Sequence, residues 1–69
     1  MTQYERIIQY LDDFGSISPM EAFMDLGITK LATRVSEMIR KGHKFEKEPM
    51  VTTNRYGEQV HYMRYRKAG

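Results

Sequence analysis

The sequence predicts an α+β domain of three short helices followed by a β-hairpin. Two observations carry the prediction. Up to Gly42, apolar residues recur at helical spacing in runs that open on a capping residue and stop at a glycine. Beyond Gly42 the pattern changes to alternation and then to a stretch rich in Val and Tyr, which suits strands. A third observation bears on partners: acidic residues dominate the first part of the chain and basic residues the rest.

The first helix opens on Thr2 and Glu5, a capping-box pair in which each side chain can satisfy the other's backbone N–H. Tyr4, Ile7, Ile8, Leu11 and Phe14 then form one apolar stripe over about twelve residues, and Gly15 and Ser16 end it. Ile17 stands alone between turn signals and is expected to pair briefly with a later strand. Ser18, Pro19 and Glu21 open the second helix with another capping box and a proline at the first helical position. Its stripe is Ala22, Phe23 and Leu26, and Gly27 can take the left-handed conformation that terminates it. Thr29 is expected to cap the third helix, where Leu31, Ala32, Val35, Met38 and Ile39 recur until Gly42. The connection from Gly27 to Thr29 is short enough for a sharp crossing of two helices, so residues 18–42 read as a helix-turn-helix.

After Gly42, His43, Phe45 and Lys47 alternate with Lys44, Glu46 and Glu48, predicting a strand that Pro49 interrupts. A second strand is expected from about Glu58 to Arg66, and Thr52 to Gly57 form a polar turn, giving a hairpin with a long tip. Val60 and Tyr62 share one face and Met63 and Tyr65 the other. The hairpin therefore needs either a bulge or a strand covered in part on both faces. Lys67 to Gly69 are expected to fray.

With 69 residues the chain is one domain, and a chain this short buries only about 60% of the surface it exposes when unfolded. It has no cysteine and only two histidines, so neither disulfides nor a thiolate metal site can staple it. No apolar run is long enough to span a bilayer and the N-terminus lacks a signal-peptide pattern, which leads us to expect a cytoplasmic protein without membrane partners. Residues 1–26 carry Arg6 against Glu5, Asp12, Asp13, Glu21 and Asp25, a balance of −4. Residues 27–69 carry ten Lys and Arg against Glu37, Glu46, Glu48 and Glu58, a balance of +6. Such a split favours an oriented encounter with a polyanion.

Three helices and a basic hairpin resemble a winged helix-turn-helix domain over nearly the whole chain. At closer range the sequence is similar to small helix-turn-helix proteins common in bacteriophage and prophage genomes. The match is carried by Gly15-Ser16-Ile17-Ser18-Pro19 with Glu21-Ala22, by Leu26-Gly27-Ile28, by Leu31-Ala32 with Arg34-Val35, and by Asn54-Arg55-Tyr56-Gly57. The resemblance implies sequence-specific binding of double-stranded DNA by a small transcriptional regulator or an excisionase-like architectural protein.

In that docking mode the N-terminal part of the third helix meets base edges. Thr29, Lys30, Thr33 and Arg34 are the candidate readers, with Ser36 and Glu37 beside them. Lys30 or Arg34 could pair with guanine and the Thr33 methyl could touch a thymine methyl. Arg40 and Lys41 extend this surface. In the hairpin, Lys44, Lys47, Asn54, Arg55, Arg64 and Arg66 are candidate phosphate or minor-groove contacts. A domain of this size reads few base pairs, so two copies on adjacent half-sites are expected. Two readings compete: a protein-interaction module using Met20, Met24 and the hairpin, and single-strand binding through Tyr56, Tyr62 and Tyr65.

Catalysis finds little support. Asp12 and Asp13 are adjacent and diverge by about 100° on a helix. His43 and His61, facing each other across the hairpin, would still lack further metal ligands. There is no phosphate-cradling glycine loop and no serine with an evident base. We expect a non-enzyme with no cofactor, no metal and no small-molecule substrate.

Overall fold

The computed structural model describes residues 1–68. The chain forms α1 (Gln3–Phe14), β1 (Ser16–Ile17), α2 (Pro19–Leu26), α3 (Leu31–Arg40), β2 (Phe45–Thr53) and β3 (Gln59–Lys67). Three helices thus precede a hairpin, and β1 completes a three-stranded antiparallel sheet of order β1-β3-β2.

Both capping boxes form. The Thr2 hydroxyl accepts from Glu5 N at 3.1 Å while Glu5 Oε1 accepts from Thr2 N at 3.1 Å. The Ser18 hydroxyl accepts from Glu21 N at 3.2 Å while Glu21 Oε1 accepts from Ser18 N at 2.9 Å. At the end of α2, Gly27 adopts φ 70° and its N–H donates to Phe23 O, so the chain turns through a conformation that glycine enters without steric cost.

The expected cap at Thr29 does not form. Lys30 occupies the cap position of α3 without a side-chain hydrogen bond. Ile28 is the reason: it is fully buried and its N–H donates to Ala22 O, which holds the connection in the core and starts α3 one residue later. α3 ends in a Schellman arrangement, with His43 N donating to Met38 O and Gly42 N to Ile39 O, both at 3.0 Å.

The core comprises Ile7, Tyr10 and Leu11 of α1, Ile17, Ala22, Ile28, then Leu31, Val35 and Met38 of α3, and Tyr65 of β3. Four residues of the expected apolar stripes stand outside it. Phe14 is 70% exposed, because Tyr10, one turn earlier, takes the contact with α2 and donates its hydroxyl to Asp25 at 2.6 Å. The Phe14 ring instead leans on Tyr10, with centroids 4.6 Å apart. Phe23 also faces outward, as do Ala32 and Ile39 at the margin of the α3 stripe.

The hairpin differs from expectation at Pro49. β2 runs straight through it, with Pro49 opposite Met63. A proline is tolerated here because β2 is an edge strand, one side of which has no partner for an N–H. The register is unbroken from Phe45↔Lys67 to Thr53↔Gln59, so there is no bulge, and of the two expectations it is the doubly covered strand that holds. Met63 and Tyr65 pack on the core, while Arg64 on the opposite face reaches Ser16 and Glu21. β1 pairs as expected, Ile17 standing opposite Tyr65. Lys67 lies within β3 and Ala68 N donates to Lys44 O at 3.0 Å, so the fraying expected for Lys67 and Ala68 does not occur; Gly69 is outside the described residues.

Candidate nucleic-acid interface

α3 advances about 100° per residue, so burial of Leu31, Val35 and Met38 directs Thr33, Ser36 and Arg40 away from the core. All three are exposed, as are Thr29 and Lys30 at the helix start. Their side chains make no hydrogen bond or ion pair among the described residues.

Three other α3 candidates are engaged with α1. Arg34 donates from Nε to Gln3 Oε1 at 2.8 Å and from a terminal nitrogen to Glu37 Oε1 at 2.7 Å. The Tyr4 hydroxyl donates to the same Glu37 oxygen at 2.8 Å, and the Lys41 ammonium lies 4.9 Å from the Tyr4 ring centroid. The Arg34 hydrogen bond, helped by Tyr4, holds the Glu37 carboxyl below its ordinary range. The same contact with Glu37 raises the Tyr4 hydroxyl above its usual pKa. Arg34 and Glu37 therefore form a brace between two helices in which their charges answer each other, and Lys41 lies over the Tyr4 ring beside it.

In the hairpin, Asn54 shapes the tip. Its side-chain oxygen accepts from Tyr56 N at 2.9 Å and Glu58 N at 3.0 Å, and Gly57 N donates to Asn54 O at 3.1 Å. Gly57 takes φ 80°, which completes a three-residue loop shorter than the long tip the sequence suggests. This turn presents Arg55 and Tyr56 outward, and Tyr56 is 82% exposed. Arg64 is held by Ser16 Oγ at 3.0 Å and by Glu21 at 2.8 Å, while Arg66 pairs with Glu48 at 2.8 Å. Lys44, Lys47 and Arg55 are exposed and form no ion pair among the described residues.

The predicted residues thus divide into two sets. Thr29, Lys30, Thr33, Ser36, Arg40, Lys44, Lys47 and Arg55 are free to meet a ligand, whereas Arg34, Glu37, Lys41, Asn54, Arg64 and Arg66 hold the fold together. Sequence reasoning missed Ala32, assigned to the core but exposed beside Thr33, where its methyl suits an apolar contact with a base. The only signal was its place at the edge of the helical stripe.

His43 precedes β2 at its base whereas His61 stands opposite Val51 near the tip, so the two do not face each other. No group of His, Asp and Glu that could hold a metal is found among the described residues, and no helix there is long and apolar enough to cross a membrane. Comparison with curated proteins and with solved structures gives no match. A family model described as a winged helix-turn-helix domain matches residues 2–66, nearly the whole chain. With its helices, hairpin and connections in the order that family requires, the chain belongs to the winged helix-turn-helix domain family.

Proposed function

We propose that this domain binds double-stranded DNA sequence-specifically, with α3 in the major groove and the hairpin against the neighbouring backbone. The family suggests DNA binding in general. One observation carries the finer reading: α3 turns Thr29, Lys30, Thr33, Ser36 and Arg40 outward, uncommitted, while the charges toward α1 are locked in a brace. In this reading Lys30 pairs with guanine, Thr33 and Ala32 contact thymine methyls, and Arg40, Lys47 and Arg55 neutralise phosphates. The similarity of its motifs to phage and prophage proteins supports a role as a small regulator or a recombination-type architectural protein, acting as two copies on half-sites about one helical turn apart.

Selection of bound duplexes from a random pool, followed by sequencing, tests this. A shared motif is expected, and Lys30→Ala or Thr33→Ala should each reduce discrimination between the selected site and a scrambled one by about 1–3 kcal/mol. Recovery of an unenriched pool, or of variants that select the same motif as strongly, would refute it.

A further inference from the structure

α3 meets the core through Leu31, Val35 and Met38, a single stripe of apolar side chains. Contacts of this kind are non-directional: they decide which side of the helix is buried but tolerate a small roll about its axis. The start of the helix adds no constraint, because Lys30 at the cap position makes no side-chain hydrogen bond. On one flank Ala32, Ser36 and Ile39 are exposed.

The directional contacts lie on the other flank, toward α1. The Tyr4 hydroxyl donates to Glu37 Oε1 at 2.8 Å, Arg34 donates to the same oxygen at 2.7 Å, and Arg34 Nε donates to Gln3 Oε1 at 2.8 Å. α1 is a firm reference for them, since Ile7 and Leu11 anchor it in the core. Glu37 stands one turn beyond Thr33 and three residues before Arg40, so it shares a ridge with the outward face. Whatever holds Glu37 therefore sets where Thr33 and its neighbours point. Side-chain tips lie about 5–6 Å from a helix axis, so a roll of about 10° moves them by about 1 Å. Hydrogen-bond lengths span only about 0.5 Å, and a base contact is lost at a roll that long, flexible cations on phosphates can follow.

We propose that Tyr4 is a positioning residue for sequence reading: through Glu37 it fixes the roll of α3, and with it the register of Lys30 and Thr33 on the base edges. The role rests on the major-groove reading of α3.

Affinities for the most enriched duplex and for a scrambled one, measured well below each variant's melting temperature, separate positioning from stability. Tyr4→Phe keeps the ring beside Lys41 and removes only the hydroxyl. It is expected to lower the enriched-to-scrambled affinity ratio about tenfold, as for loss of one hydrogen bond to a charged group, with affinity for the scrambled duplex unchanged. Glu37→Ala should lower the ratio at least as far, and adding Tyr4→Phe to it should lower the ratio no further. Glu37→Gln retains an acceptor for Tyr4 and Arg34 and should keep most of the ratio. Ser18→Ala, which weakens the cap of α2, should leave the ratio at the wild-type value. A Tyr4→Phe protein whose ratio matches that of Ser18→Ala overturns the role, and so do losses from Tyr4→Phe and Glu37→Ala that simply add in the double variant. A wild type that does not discriminate between the duplexes overturns the DNA reading, and the role of Tyr4 with it. That result needs no variant, so the two failures are told apart.

Discussion

Salt dependence of DNA binding gives the sharpest quantitative expectation, because the structure says which cations are free to displace counterions. Of the ten Lys and Arg after residue 26, Arg34, Arg64, Arg66 and Lys67 are ion-paired and Lys41 sits over Tyr4. Lys30, Arg40, Lys44, Lys47 and Arg55 remain. If these five neutralise phosphates, log affinity should fall with log salt at a slope of about −4.5, which is roughly 500-fold between 50 and 200 mM. Removing one should flatten the slope by about 0.9, so Arg40→Ala and Arg55→Ala are each expected near −3.6. Arg34→Ala and Arg64→Ala should lower the melting temperature but leave the slope near −4.5, since their charges are already answered by Glu37 and Glu21. Fluorescence anisotropy of a labelled duplex over a chloride series measures all five proteins. A wild-type slope shallower than about −2, or flattening by Arg34→Ala and Arg64→Ala equal to that of Arg40→Ala, would refute the division into committed and free cations.

Further expectations concern the scaffold. Ile17→Ala should cost about 2–5 kcal/mol in a urea melt, because the side chain is fully buried where β1 meets Tyr65; a loss under 1 kcal/mol would mean the core closes without it. Ser18→Ala should cost about 1 kcal/mol through loss of the α2 cap, read as a lower melting temperature with unchanged helicity below it. Gly27→Val should cost at least about 1–2 kcal/mol; the space around it is open, so the penalty is the left-handed backbone at φ 70° and not a clash. The hydrogen bond to Asp25, with burial, pushes the Tyr10 hydroxyl up to about 12 from 10.0. A folded-state pKa raised in this way stabilises below the unfolded value and fades as pH climbs through the folded one. The stability advantage of wild type over Tyr10→Phe should therefore be constant below pH 10 and shrink from there toward about 12, as measured by denaturant melts at each pH.

The first two helices were legible in the sequence because their starts carry their own capping chemistry, whereas α3 was found from its apolar spacing alone. Thr2 with Glu5 and Ser18 with Glu21 announce themselves locally, and Gly15, Gly27 and Gly42 all take the positive φ that stops a helix. What stayed hidden depends on distant neighbours. Nothing within α1 says that Tyr10 rather than Phe14 meets α2, since Asp25 decides it from fifteen residues away. Pro49 looks like a strand breaker until β2 is known to be the edge. At the candidate interface the exposed face of α3 could be read from its periodicity. The loss of Arg34 and Glu37 to the brace could not, because Gln3 and Tyr4 lie thirty residues upstream.

The last strand to be made is the middle one of the sheet. β3 lies between β1 and β2, and its far end pairs with Ser16 and Ile17, nearly fifty residues earlier in the chain. During synthesis neither of the flanking strands, β1 and β2, has anything to bond until residues 59–67 are available, so the sheet closes in one event. A chain stopped before residue 59 would lose the centre of the sheet, along with Tyr65 from the core. Ile17 would then lie without the strand that faces it, and a copy cut short there is the kind of partly open chain that proteases remove.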